Sequence, residues 1–188
     1  MEVIKQQKAL NRTVLAIKKG KVIICPTDTV YGFLADAANK EAVDKIFKIK
    51  KRSKQKPLPI FVKDIKMVRE LAEVSKEQEK IQAKYWPGKY TFILKRKFDV
   101  KLYGVKKDTI AIRIPKYKFL NNLLKKVNKP LVQTSVNISS KKPLNKIKDI
   151  LAVFGENKLI DLIIDAGFFK NKPSKIIDLT GKNKKILR

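Results

Sequence analysis

The chain contains no histidine and a single cysteine, Cys25. Without histidine, Ser-His-Asp and Cys-His mechanisms are excluded, and with one thiol so are ordinary zinc sites. A lone cysteine cannot form an internal disulfide, which fits a reducing compartment. Apolar runs are only a few residues long, against the roughly 20 that a membrane span needs. Met1 is followed by Glu2 and a lysine-bearing stretch, so no signal peptide is read there and the cytoplasm is the expected location. The glycines at 20, 32, 88, 104, 155, 167 and 181 make neither a GxxxxGK[ST] loop nor a GxGxxG turn. Any nucleotide would have to be gripped by side chains.

Acidic residues are also few. Against 17 of them stand 45 basic residues, for a net charge of +28. Such a field attracts polyanions, RNA and ATP among them. The excess has a second reading: 39 of the basic residues are lysine, and isoleucine and asparagine are plentiful, as in a compositional drift toward adenine-rich codons. Arginine is correspondingly informative. Only Arg12, Arg52, Arg69, Arg96, Arg113 and Arg188 carry the planar fork that grips a carboxylate or phosphate with two parallel bonds. Arg12 and Arg69 lie in helix-like stretches and read as surface cover.

With 188 residues, 44% apolar and 33% charged, the chain is expected to form one globular domain over 1–188. Val3, Leu10, Val14 and Ile17 recur at helical spacing over 3–19, with Gly20 at the C-cap position. Further helices are predicted over 40–50, 64–85, 119–127 and 146–154. Strands are predicted at 22–25, 58–62, 90–94, 109–115, from 130 toward 137, 160–164 and 175–179, the second near an edge because of Pro59. Strands alternating with helices, with some strands following one another directly, predict a mixed α/β sheet.

Four stretches carry candidate chemistry. In "KIKKRSKQKPL", Lys50, Arg52 and Lys56 could converge on one anion where a helix enters a loop, although a charge run taken alone is usually solvated surface. In "LVQTSVNISS" a buried strand runs into Thr134, Ser135, Asn137, Ser139 and Ser140, either a ligand crevice at a strand end or a polar turn. "TIAIRIP" puts Arg113 in an apolar strand, where its charge needs a partner from protein or ligand. The stretch "CPTDTVYGF" leaves the strand at 22–25 with Thr27, Asp28, Thr29 and Tyr31 close together.

Taken in order, these segments resemble the YrdC-type threonylcarbamoyl-AMP synthases. "PTDTVYGF" is similar to the PT[DE]TVYGL signature, "KKRSKQKPL" to KxR followed by [NK]PL, and "YWPGKYTFIL" to WPGPLTLIL. "TIAIRIP" resembles the VRxP strand, "TSVNIS" the SxN motif, and "PSKIIDL" and "ILR" the STVVDL and LRPG ends. The resemblance implies a twisted mixed α/β sheet with flanking helices and a large basic concave groove, in a single-domain form. It implies an enzyme that joins L-threonine, bicarbonate and ATP into threonylcarbamoyl-AMP and pyrophosphate, for threonylcarbamoyladenosine in tRNA. Magnesium would be carried by the triphosphate, and the product passed to tRNA threonylcarbamoyl-transfer proteins.

Carried over, the threonine site falls on Thr29, Tyr31, Arg113 and Ser174. Nucleotide contacts fall on Lys50, Arg52, Lys56, Thr109, Ser135, Asn137 and Arg188. Of these, Lys50, Arg52, Ser135 and Asn137 are the expected catalytic group. No protein-held metal is expected. Departures from the pattern are Phe33 for leucine, Lys89-Tyr90 for Pro-Leu, Ser140 for a frequent glycine, and Lys175 for the threonine after Ser174. The alternative is a non-enzymatic double-stranded RNA or tRNA binder using the same groove. A small polar pocket at "PTDTVYG" would be superfluous for such a protein.

Overall fold

The computed structural model describes residues 1–169, 172–181 and 184–187. Its elements run β1 (Glu2–Lys5), α1 (Gln6–Lys18), β2 (Ile23–Cys25), β3 (Gly32–Asp36), α2 (Lys40–Lys50) and β4 (Ile60–Phe61). After these come α3 (Ile65–Leu71), β5 (Ala72–Glu73), α4 (Lys76–Ala83), β6 (Tyr90–Arg96) and β7 (Thr109–Arg113). The chain continues through α5 (Lys118–Val127), β8 (Leu131–Ser135), α6 (Ile147–Phe154), β9 (Leu162–Asp165), β10 (Lys175–Asp178) and β11 (Lys185–Ile186). The strands make one mixed sheet in the order β1-β9-β2-β3-β8-β4-β7-β6-β10-β11, with β5 on β6. β1, β9 and β2 are parallel, as are β4 with β7 and β6 with β10; the other pairs are antiparallel.

The two-residue period of the strands sorts the core into two layers. Ile24, Phe33, Ile60, Val132 and Ile163 face a core that also holds α2, α3 and α6 side chains. Their neighbours Ile23, Leu34, Phe61, Leu131, Leu162 and Ile164 face the other way, beneath α1 and α5. On β6, β7 and β10 the first layer continues through Phe92, Ile112 and Ile177. The alternate residues Ile93, Ala111, Arg113 and Ile176 lie on the α1–α5 side, outside the apolar cluster that those helices cover among the described residues. That uncovered end of the sheet is where a ligand can sit.

Several boundaries have local causes. α2 starts after Asn39, whose side chain accepts from Ala42 N at 3.0 Å, and it ends at Lys51 in the left-handed region, φ 49°. The stretch 3–19 is not all helix: its first residues form β1 against β9, a pairing 160 residues distant. The expected helix over 64–85 is split, because Ala72 and Glu73 pair with Arg96 and Lys95. A capping box of Ser75 and Gln78 then restarts it as α4. β4 is not at an edge but between β8 and β7. Pro59 is tolerated there because it precedes the strand and contributes only its carbonyl, which accepts from Gln133 N at 2.9 Å.

Within α4, Gln82 is fully buried, and among the described residues neither its amide nitrogen nor its oxygen has a hydrogen-bond partner. A buried amide without partners costs about 1–3 kcal/mol. Gln82→Leu is therefore expected to raise the urea midpoint, by stabilising the fold by about 1–2 kcal/mol.

Candidate functional site

Above the uncovered strands lies a cavity of about 240 Å³. Thr29, Arg52, Arg113, Gln133, Ser135 and Ser174 line it, over a floor that includes Ile93, Ala111 and Ile176. β7 brings Arg113 by the alternation that places it beside Phe61 in register. β8 brings Gln133 and Ser135, on the same face as Leu131, past the end of the helical layer. A second cavity of about 180 Å³ shares Pro57, Ile93 and Ala111 with the first, and adds Thr109, Lys106, Asp178 and Leu187.

Arg113 is 1% exposed. Its guanidinium lies 5.5 Å from the centre of the Phe61 ring, and a charge so desolvated requires compensation. Nη2 donates to Asp28 Oδ1 in a close ion pair. Nε donates to Gly88 O at 2.9 Å, and Nη1 to Thr29 Oγ1 at 3.2 Å. Asp28 is fixed in turn by Lys116 N, which donates to Oδ2 at 3.0 Å. The "PTDTVYGF" stretch thus supplies the partner that the Arg113 charge needs.

The remaining polar groups of that stretch divide the work. Thr27 Oγ1 donates to Val30 O at 2.7 Å and accepts from Thr29 N at 3.0 Å. With its hydrogen so used, Thr27 must accept in its 2.9 Å contact with Thr29 Oγ1. Thr29 therefore donates to Thr27 and accepts from Arg113, so its hydroxyl is oriented at the cavity wall. Tyr31 does not line the cavity: it is fully buried, donating its hydroxyl to Gly167 O at 2.8 Å and accepting from Ala166 N at 3.0 Å. Burial pushes its pKa up to about 12, so it stays a neutral donor. Its position indicates support for the 165–169 loop. On the far wall, Ser174 Oγ and Thr91 Oγ1 are 3.0 Å apart.

The nucleotide-side residues separate in a similar way. Arg52 is half-buried at the wall, held by Nε to Lys56 O at 2.9 Å and Nη2 to Pro57 O at 3.0 Å. Burial lowers its pKa from the ordinary guanidinium value, which marks a partly desolvated cation suited to an anion. Lys50 is 1% exposed and does not line the cavity. Its ammonium donates to Ser135 O, Asn137 O and Asn137 Oδ1 at 2.6, 2.9 and 2.8 Å. Burial, then the Arg52 charge, push its pKa down to about 7, while the three acceptors favour the protonated form. Asn137 is buried in the loop after β8, accepting from Ser135 Oγ at 2.7 Å. Lys56 is exposed on the 51–57 loop, Thr109 lines the second cavity, and Arg188 lies outside the described residues. Ser140 stands at φ 70°, the conformation that glycine takes without penalty. The loop therefore bends as a glycine-containing one would.

Sequence reasoning passed over Gln133 and Thr91, and expected Asp28 only to support its loop without touching a ligand. Gln133 had a readable signal, since it precedes Ser135 by two on one strand and so shares its face. Breaking a buried ion pair costs about 3–5 kcal/mol. Asp28→Ala is expected to lower stability by about that much in urea unfolding. A loss below 1 kcal/mol would mean that Arg113 is compensated elsewhere.

Comparison with known proteins agrees with the architecture. The Sua5/YciO/YrdC family model, described as telomere recombination, matches residues 15–188. A putative threonylcarbamoyl-AMP synthase of Methanocaldococcus jannaschii is 38% identical over 179 residues, covering 93% of this chain and 82% of the relative. The Pyrococcus abyssi Sua5 structure in complex with L-threonine has a TM-score of 0.88 at 30% identity, covering 100% of this chain and 56% of that one. This chain thus spans just over half of that Sua5. Escherichia coli YciO, named an uncharacterized protein, has a structure with a TM-score of 0.87 at 27% identity, covering 100% of this chain and 92% of that one. Among the described residues no helix is long and apolar enough to cross a membrane. A family match over nearly the whole length, on a sheet that superposes with these structures, shows that the chain belongs to the Sua5/YciO/YrdC family.

Proposed function

We propose that the protein is an L-threonylcarbamoyl-AMP synthase. The observation that carries this reading is that two guanidiniums and three side-chain hydroxyls line one cavity. Arg113, Thr29, Ser174, Arg52 and Ser135 all line it. A held guanidinium beside two hydroxyls suits a small amino acid with a carboxylate and a side-chain hydroxyl. A second guanidinium in the same lining, with Thr109 in the adjoining cavity, suits the phosphates and nucleoside of ATP. The relatives named threonylcarbamoyl-AMP synthase and the threonine-bound Sua5 support the same assignment.

In this reaction the threonine amine attacks bicarbonate, forming an N–C bond and releasing water to leave a carbamate. A carbamate oxygen then attacks the α-phosphorus of ATP while the bond to pyrophosphate breaks. The carbamate is already anionic, so this second step needs no strong base, in keeping with a chain that lacks histidine. Arg113 would orient the amino acid and Arg52 would neutralise charge developing on the phosphates. Oriented binding of this kind contributes roughly 7–11 kcal/mol to a reaction. Among the described residues no three His, Cys, Asp or Glu side chains gather as a metal site. In this reading magnesium enters with the triphosphate, as part of the substrate. The product is a labile mixed anhydride, to be consumed by tRNA threonylcarbamoyl-transfer proteins in the same reducing cytoplasm.

The net charge of +28 keeps a purely RNA-binding protein as the rival. The two readings part on one measurement, mass-spectrometric detection of threonylcarbamoyl-AMP after incubation with ATP, threonine and bicarbonate. Product is expected, and its absence together with salt-sensitive tRNA binding would favour the rival. Arg52→Ala and Ser135→Ala are each expected to lower threonine- and bicarbonate-dependent pyrophosphate release by about 100-fold. Full activity in both would sink the assigned site.

A further inference from the structure

Lys50 is held more completely than a phosphate-binding lysine should be. Its side chain has three donors and no acceptor, and the three oxygens of Ser135 and Asn137 match them at 2.6–2.9 Å. The main chain adds a further tie, from Ser139 N to Lys50 O at 2.8 Å. Asn137 extends the bonding, donating from Nδ2 to Ile138 O and Lys141 O at 3.0 and 2.5 Å. Lys50 therefore fastens the end of α2 to the loop that follows β8.

Both fastened segments carry a cavity wall. Beyond Lys50 the chain reverses at Lys51, φ 49°, and presents Arg52 to the cavity. Beside the ammonium, Ser135 gives it a carbonyl while lining the same cavity. The spacing between Arg52 and Ser135 thus passes through one buried side chain. A methionine of similar length would fill the space and leave the oxygens without their donor.

We propose that Lys50 is a positioning residue, which sets Arg52 and Ser135 for the nucleotide and does not itself touch the phosphates. This rests on the nucleotide reading of the cavity given above. The distinction matters because a direct phosphate contact and a fastening make different demands. A contact must be free to leave its protein partners when the ligand arrives, whereas a fastening must keep them.

Two experiments test this. In ¹⁵N NMR of the wild-type protein at about pH 5, where Lys50 is protonated, an ammonium buried against three acceptors exchanges slowly and gives an observable Lys50 Nζ signal. The signal is expected without ligand, and again with a non-hydrolysable ATP analogue, with no coupling to phosphorus. No signal in the free protein, or a phosphorus coupling with the analogue, overturns the proposal. In kinetics normalised to folded protein, Lys50→Met is expected to raise the KM for ATP or lower kcat by about 100-fold in total, the scale of a 1 Å misplacement. Adding Ser135→Ala is expected to cost no more than the worse single change. Losses that multiply, or wild-type constants per folded molecule, count against positioning. A wild-type protein that makes no product overturns the functional reading instead, and the ammonium signal still decides what Lys50 holds.

Discussion

A guanidinium inside a sheet is the constraint from which the rest of the site follows. Arg113 is desolvated on the face of β7 beside Phe61 and cannot remain there as a bare charge. Its partner comes from far along the sheet: Asp28 follows β2, which is separated from β7 by β3, β8 and β4. The loop must therefore cross three strands to deliver one carboxylate, and in crossing it delivers Thr29 as well. Ion pairing and the cavity wall are thereby built from the same few residues. Replacing the pair with well-packed apolar groups could match its stability, but it would remove the oriented donors at the cavity wall.

The cavity exists because one layer of helices is narrower than the sheet. α1 and α5 cover β9, β2, β3, β8 and β4, while the alternate residues of β7, β6 and β10 extend beyond that cover. On those strands the two-residue period gives one largely buried face and one turned toward the cavity. The latter carries Thr91, Ile93, Ala111, Arg113 and Ile176, an apolar floor with polar groups at one end. Such a surface would be a liability in a fully covered sheet. Here it combines apolar contact with a few fixed donors, as small-molecule sites do.

Legibility in the sequence followed the range of the interaction. α2 and α5 were readable because their apolar spacing and end signals are local; Asn39 and Asn128 stand at their boundaries. β3 was passed over because Gly32–Asp36 is buried on both faces and shows no alternation. β1 and β5 exist only through partners distant in sequence, so helix-like composition masked them. In the site, the scarcity of arginine pointed to Arg52 and Arg113, and motif resemblance to Thr29, Ser135 and Ser174. What the sequence could not give was direction. Lys50 sits two residues from Arg52, yet the left-handed turn at Lys51 assigns one to the interior and the other to the cavity. Tyr31 likewise lies two residues beyond Thr29 and is used to hold a loop.

The order in which the walls appear along the chain has a consequence for when the site can exist. Thr29 is near one end, and Arg52, Arg113 and Ser135 follow at intervals. Ser174 arrives only beside β10, which must lie along β6 before the cavity is enclosed. A partly synthesised or partly folded chain therefore has no ligand site in rudiment, because each fragment holds one wall without its counterpart. The cavity is a property of the finished sheet. Substrate in the cell would act on this protein as a selective weight on its completed form, withdrawing it from the folding equilibrium only after the last strands have joined.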